Sequence, residues 1–97
     1  MIIDVHAHVY ACPRIIPRWA MTTFMPVDEQ IKMMDAKGVD KAIILPLNSP
    51  ECPSEVQSIG EVLWLCEQYP GRFIPFCNLD PRIARRPDLI TVDDYLY

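Results

Sequence analysis

The chain has 97 residues, of which 51% are hydrophobic and 23% are charged, and its formal net charge is −4. This composition is typical of one ordinary soluble domain and argues against a disordered chain. Nine Lys and Arg residues against thirteen Asp and Glu residues give no electrostatic support for binding a nucleic acid.

No apolar run reaches the roughly 20 residues that a membrane-spanning helix needs, and no signal peptide precedes the first strand. We therefore expect a cytoplasmic protein with no membrane partner. The cysteines Cys12, Cys52, Cys66 and Cys77 form no CxxC pair. They predict no disulfide framework.

The first nine residues, Met1-Ile-Ile-Asp-Val-His-Ala-His-Val9, predict a strand that ends in two histidines. Side chains alternate along a strand, so Asp4, His6 and His8 are expected on one face. Two imidazoles so placed can bind one ion, because neutral histidine is the commonest metal ligand. We predict that His6 and His8 are metal ligands and that Asp4 contacts these ligands without binding the metal itself. The simpler alternative is two solvated histidines and an aspartate that caps a turn.

Residues 10–26 contain three prolines and predict a long connection that begins beside the histidines. We expect this connection to cover the site, with Trp19 as a substrate-binding residue. Packing of its aromatic side chains onto their own domain is the alternative. Cys12, four residues beyond His8, is a conceivable third ligand.

A helix is predicted over Val27–Lys37, because acidic residues follow Pro26 and a glycine, Gly38, follows the last turn. The apolar run Ala42–Leu45 then predicts a buried parallel strand. In the loop that follows this strand, Asn48 is a second candidate for substrate binding.

Ser54–Gln57 matches a capping box and predicts the start of a second helix, which ends before Pro70. The main apolar stripe of this helix is expected to carry Val56, Ile59, Leu63 and Cys66, with Val62, Leu65 and Tyr69 beside it. A third strand is predicted over Phe73–Leu79, where Pro75 requires a sheet edge or a bulge. Thr91 and Asp94 predict a further helix start, and because the sequence ends at Tyr97 we expect it to stop within an element.

Alternating strands and helices predict an α/β fold with a parallel sheet built from right-handed βαβ units. Three segments, Ile2–His8, Gly38–Leu45 and Tyr69–Arg82, together resemble the amino-terminal part of the amidohydrolase superfamily. The nearer resemblance is to its amidohydrolase-related branch, which includes aminocarboxymuconate-semialdehyde and resorcylate-type decarboxylases.

The resemblance implies a metal-dependent-hydrolase (β/α)₈ TIM barrel, of which residues 1–97 are the first three βα units of a single, truncated domain. It implies that His6 and His8 bind a divalent metal, zinc first and manganese or another ion as alternatives. It also implies a small-molecule substrate that is hydrolysed or decarboxylated without oxidation.

The chain departs from this family because the later metal ligands and the catalytic aspartate are missing, so no catalytic residue is assigned. A catalytic zinc site takes about three protein ligands. We therefore expect an amino-terminal fragment that holds metal weakly, is inactive alone and self-associates; whether the chain is itself an enzyme stays open. The alternatives are a small non-catalytic metal-binding or interaction module and a fragment of a TIM-barrel metal phosphoesterase.

Overall fold

The computed structural model describes residues 1–11, 25–47, 57–79 and 86–96. In chain order these ranges form β1 (Ile3–Ala7), α1 (Val27–Lys37), β2 (Lys41–Ile44), α2 (Ile59–Gln68), β3 (Phe73–Pro75), a 3-10 helix (Pro87–Leu89) and α3 (Val92–Leu96). The strands form one parallel sheet in the order β1-β2-β3. The expected α/β class is confirmed for this part of the chain. No α-helix in these ranges has the length and hydrophobicity of a membrane span.

The core lies between one face of the sheet and the two longer helices. Its buried side chains come from all three strands, from α1 and α2, and from the segment after β1: Ala7, Val9, Val27, Met34, Ala42, Ile44, Val62, Leu65 and Phe73. Within β2, Ala42 and Ile44 are buried, whereas Ile43 between them is half-buried. This alternation shows that the helices cover one face of the sheet.

Helix α1 has the bounds that the sequence predicts, and the reasons are local. Gly38 ends it in the left-handed conformation, with φ 68° and ψ 28°, and its N–H reaches the carbonyl of Asp35. Pro26 is the residue before the first turn rather than a member of it. Val27 and Met34 are buried and Ile31 packs against the core, so these three residues, at helical spacing, form the apolar face of α1.

Helix α2 begins later than the sequence predicts. Its N-cap is Ser58, whose Oγ accepts a hydrogen bond from the backbone N–H of Glu61 at 3.1 Å. Gln57 lies outside the helix, because its backbone N–H is donated to the Leu47 carbonyl and its side chain to the Val9 carbonyl. The predicted start of α2 is therefore wrong: its N-cap is Ser58, whereas Ser54 lies outside the described residues.

The buried stripe of α2 also differs from the expected one. Val62 and Leu65 are buried, and Cys66 and Tyr69 pack against the same core. Ile59 and Leu63, which were expected on the main stripe, are 41% and 48% exposed. Val62, Leu65, Cys66 and Tyr69 follow helical spacing, and this stripe packs against the core.

Strand β3 is shorter than predicted, ending at Pro75 instead of Leu79. The proline does not interrupt the pairing with β2, because neighbouring residues make those bonds. The Arg72 carbonyl accepts from the N–H of Ala42, and the N–H of Phe76 is donated to the Ile44 carbonyl. In the described part of the sheet β3 is an edge strand, as Pro75 requires.

Helix α3 begins as predicted, after Thr91. The Asp94 carboxylate accepts hydrogen bonds from the backbone N–H and the hydroxyl of Thr91, at 2.8 and 3.0 Å. These bonds lower the pKa of Asp94 below its ordinary value. Two large apolar residues near this helix, Leu89 and Val92, remain mostly exposed.

Candidate metal centre

The two histidines lie where β1 ends, and their imidazoles face each other. His6 belongs to β1, and His8 follows its last residue, Ala7. The two Nε2 atoms are 3.1 Å apart, the ring centroids are 5.0 Å apart, and the rings meet edge to face at 76°. Both residues are exposed. The carboxyl ends of strands are where parallel α/β folds place their chemistry.

The neighbouring strand orients His8. Its Nδ1 lies 2.8 Å from the backbone carbonyl oxygen of Leu45, the residue after β2. A carbonyl can only accept, so Nδ1 carries the proton and Nε2 of a neutral His8 holds a lone pair. Nε2 of His6 must then donate to that lone pair across the 3.1 Å contact. The bond to the carbonyl thus leaves Nε2 of His8 as the ring atom that can bind a metal ion.

A bulge in β1 lies between Asp4 and Ala7 and contains His6. Asp4 pairs with Ala42 and Ala7 with Ile44, so three steps along β1 match two steps along β2. The bulge interrupts the alternation of side chains along β1 between Asp4 and Ala7. The alternation therefore no longer implies that Asp4 and the histidines lie on the same face of the sheet. Bulges are frequent beside active sites because they redirect a side chain.

Asp4 contacts the backbone of this bulge. Its Oδ1 accepts a hydrogen bond from the N–H of His6 at 3.0 Å. The Asp4 carboxylate thus contacts the backbone of His6. The sequence predicted that Asp4 supports the histidines but did not indicate which atom it would contact. A bulged residue leaves the ladder, and Asp4 supplies the acceptor that His6 N–H would otherwise lack.

Two amide side chains bond carbonyls at the same end of the sheet. Gln57, 2% exposed, donates from Nε2 to the Val9 carbonyl at 2.6 Å, and Asn78 donates from Nδ2 to the Pro46 carbonyl. The remaining oxygen of each amide is buried without a hydrogen-bond partner. Sequence reasoning missed both residues. Their partners are 48 and 32 residues away in the chain, and no local pattern indicates such a contact.

No family model, curated protein or solved structure matches this chain. The resemblance to the amidohydrolase superfamily therefore rests on the motifs of the chain itself.

Of the residues predicted for the site, the structure brings together His6, His8 and Asp4. Trp19, Asn48 and Cys12 lie outside the described residues. Backbone hydrogen bonds join the described residues on either side of the segment that contains Trp19. The N–H of Tyr10 is donated to the Met25 carbonyl and the N–H of Val27 to the Tyr10 carbonyl, both at 3.0 Å. Among the described residues, no group of three or more His, Cys, Asp and Glu side chains is arranged to hold a metal ion.

The opposite end of the sheet has an open groove of about 370 Å³ lined by Met34, Asp35, Gly38, Val39, Asp40 and Arg72. The Arg72 guanidinium donates to the carbonyls of Asp40 and Val39 and pairs with the Asp35 carboxylate at 2.8 Å. Asp40 in turn accepts from the backbone N–H of Ile2 at 2.6 Å. These bonds join the end of α1 to the starts of all three strands, which is a structural role.

Proposed function

We propose that His6 and His8 are the first two ligands of a divalent metal site, and that the chain is the amino-terminal part of an amidohydrolase-related enzyme with a (β/α)₈ barrel. One observation carries this proposal: two exposed imidazoles direct their Nε2 atoms to within 3.1 Å of each other at the carboxyl end of β1. Without metal the two nitrogens share one proton in a hydrogen bond, and an ion that displaces this proton meets both nitrogens at once.

The donor set fits zinc. Zinc–nitrogen bonds of 2.0–2.1 Å at tetrahedral angles place two imidazole nitrogens about 3.3 Å apart. The observed 3.1 Å separation of the Nε2 atoms is within a few tenths of an ångström of that value. The Leu45 carbonyl already holds His8 in the tautomer that leaves Nε2 free, as the outer partners of metal-binding histidines commonly do. Binding therefore requires little rearrangement of His8.

In a complete site of this kind, a bound ion lowers the pKa of water or polarises a substrate oxygen. The residues of this chain contribute positioning: the Leu45 carbonyl orients His8, and Asp4 holds the main chain of His6. A catalytic zinc site takes about three protein ligands. We therefore propose that residues 1–97 bind metal weakly and show no turnover alone. The complete enzyme would hydrolyse or decarboxylate a small molecule.

Calorimetric titration with zinc tests the metal site. The wild-type chain is expected to bind zinc, whereas His6→Ala and His8→Ala each lose at least about tenfold in affinity. Cys77→Ser is the matched control, since Cys77 is an exposed thiol that can bind zinc adventitiously. Equal affinity in the wild type and both histidine variants would contradict the proposal.

The intact mass of the protein from its native source tests the enzymatic part. A mass well above 11.2 kDa is expected, and the longer chain should then lose hydrolase or decarboxylase activity when His6 is replaced. A mass of 11.2 kDa would contradict this part of the proposal and leave the metal site to be judged by titration.

A second candidate, a small non-catalytic metal-binding module, is favoured by the core. Nine buried side chains, eight from three strands and two helices and one, Val9, from the segment after β1, form one cluster within the described residues. If the chain is such a module, it unfolds in one cooperative transition, and zinc raises the midpoint because it binds only the folded state. A broad melt that zinc does not shift would remove this candidate.

A further inference from the structure

The carbonyl that orients His8 belongs to a short segment that is bound at each of its residues. The three successive carbonyls of residues 45–47 each accept a hydrogen bond, and the donors are His8 Nδ1, Asn78 Nδ2 and the backbone N–H of Gln57. The middle residue, Pro46, is less than 2% exposed, and its ring restricts φ. The acceptor for His8 is therefore part of a constrained piece of backbone.

Gln57 connects this segment to the residue that follows His8. Its backbone N–H is donated to the Leu47 carbonyl at 2.7 Å, and its side-chain Nε2 is donated to the Val9 carbonyl at 2.6 Å. Val9 directly follows His8, whose imidazole is bound to the Leu45 carbonyl at 2.8 Å. Three hydrogen bonds and the chain between them thus form a closed ring that contains both His8 and Gln57.

The ring is buried on the side away from the imidazole. Gln57 and Val9 are 2% and 1% exposed, whereas His8 is exposed. A hydrogen bond shielded from water is stronger than an exposed one, and its loss would leave the buried Val9 carbonyl without this donor. The position of the exposed imidazole is therefore fixed from inside the protein.

We propose that Gln57 is a positioning residue of the metal site, because it closes the ring that holds Nε2 of His8 ready for an ion. This inference rests on the proposed metal-binding function. An ion binds more tightly to a ligand that is already oriented, since less ordering is then required on binding. Gln57 acts through the carbonyls of Val9 and Leu47. His8 needs this orientation whichever residues complete the coordination of the ion.

Gln57→Met tests this role, because methionine has a similar length but no side-chain donor. ¹H–¹⁵N spectra of the imidazoles in chelator at alkaline pH should show His8 as a mixture of the two neutral tautomers, instead of the Nδ1-protonated form alone. Calorimetric titration should show a loss of about tenfold in zinc affinity. A wild-type value of either quantity in a folded Gln57→Met chain would overturn the proposal.

Val62→Ala is the matched control, since Val62 is 1% exposed in the same core and lies outside the ring. It should lower the free energy of unfolding while the His8 tautomer and the zinc affinity of the folded chain stay unchanged. Urea unfolding followed by circular dichroism compares the stability of the two variants. Equal losses of zinc affinity in both would mean that Gln57 only stabilises the fold, and would overturn the positioning role.

A measurement on the wild-type chain decides the matter if Gln57→Met does not fold. Coupling between two binding events is reciprocal, so an ion whose binding is favoured by the bond from Gln57 to Val9 favours that bond in turn. Zinc should therefore slow solvent exchange of the Gln57 Nε2 protons by a larger factor than that of the Gln30 side-chain amide. Gln30 is a buried residue of α1 that lies outside the ring. Equal factors would overturn the proposal.

The outcomes separate this inference from the function on which it rests. Zinc binding by the wild type, with the same affinity in a folded Gln57→Met chain, would overturn the role of Gln57 and leave the metal site intact. Absence of zinc binding in the wild-type chain would overturn both.

Discussion

At the scale of single residues, the acid before the histidines acts on the backbone. Asp4 Oδ1 accepts from the His6 N–H within the bulge of β1. Asp4→Ala removes this acceptor, whereas Asp4→Asn removes the charge and keeps an oxygen in place. We predict that Asp4→Ala weakens zinc binding by about tenfold or more and that Asp4→Asn weakens it less. Calorimetric titration measures both; equal losses would mean that the charge of Asp4, and not its hydrogen bond, matters.

The two described thiols differ in their surroundings. Cys66 is half-buried on α2, and burial raises the pKa of its thiol, whereas Cys77 is exposed. The thiolate is the reactive form, so we predict slower alkylation at Cys66 than at Cys77. Mass spectrometry of peptides after timed labelling measures the two rates, which should converge in denaturant. Faster labelling of Cys66 in the folded chain would contradict its position.

The raised pKa of Cys66 also has a consequence for stability. The folded state keeps this thiol protonated at a pH at which the unfolded chain has begun to ionise. The stabilisation is complete below the ordinary thiol pKa and is lost as pH rises through the raised value. Cys66→Ala should therefore flatten the alkaline end of the stability curve, as measured by urea unfolding at increasing pH.

The histidine pair could be predicted from sequence because the motif is local. Its orientation could not, since the acceptor for His8 is a backbone carbonyl 37 residues away. The bulge could not be predicted from the sequence either, because the register depends on how β1 pairs with β2 and not only on the order of residues in β1.

At the scale of elements, α2 depends on Ser58. Its Oγ accepts from the Glu61 N–H, one of the donors that a helix start leaves without a partner. Ser58→Ala should lower the free energy of unfolding by about 1 kcal/mol. Ser54→Ala is the matched control, since it removes the cap that sequence alone predicted. Chemical denaturation with circular dichroism measures both, and a larger loss in the Ser54 variant would contradict the observed helix start.

The contrast between α1 and α2 shows what limits prediction at this scale. In α1, proline before the helix and glycine after it fix both ends. Before α2, two consecutive segments, Ser54–Gln57 and Ser58–Glu61, both match a capping box. The choice between them is made by tertiary contacts, because Gln57 is held by the carbonyls of Leu47 and Val9.

At the scale of the whole molecule, apolar surface is divided unevenly. Leu65 is fully buried in the core, whereas Leu63, on the same helix, is 48% exposed beside the equally exposed Trp64. We predict that Leu65→Ala lowers the free energy of unfolding by about 2–5 kcal/mol. Leu63→Ala, the matched control, should change it far less. Denaturant titration measures both variants. Equal losses in the free energy of unfolding would contradict the observed difference in burial between Leu65 and Leu63.

Exposed apolar side chains also predict association without metal. Ile59, Leu63 and Trp64 lie on α2 and Phe76 follows β3, all between 41% and 49% exposed. Exposed apolar side chains of this size favour contact with another chain where they lie close together. Leu63→Gln with Trp64→Gln should lower the sedimentation coefficient at high concentration in chelator. An unchanged coefficient would place the contact elsewhere.

The alternation of strands and helices was enough to predict a parallel α/β sheet, because the ends of each helix and the apolar run of each strand can be recognised from neighbouring residues. Which stripe of α2 faces the sheet depends on packing in three dimensions, and the sequence prediction failed there. The proposed barrel rests on the sequence motifs between Ile2 and Arg82.

The most direct test of the central claim is long-range ¹H–¹⁵N NMR of the two imidazoles at alkaline pH, with and without zinc. Without zinc, His8 should show the proton on Nδ1 and His6 the proton on Nε2, as the contacts to Leu45 and between the rings require. With zinc, both Nε2 signals should shift and the His6 proton should move to Nδ1. Imidazole spectra that stay unchanged at millimolar zinc would contradict a metal site at His6 and His8.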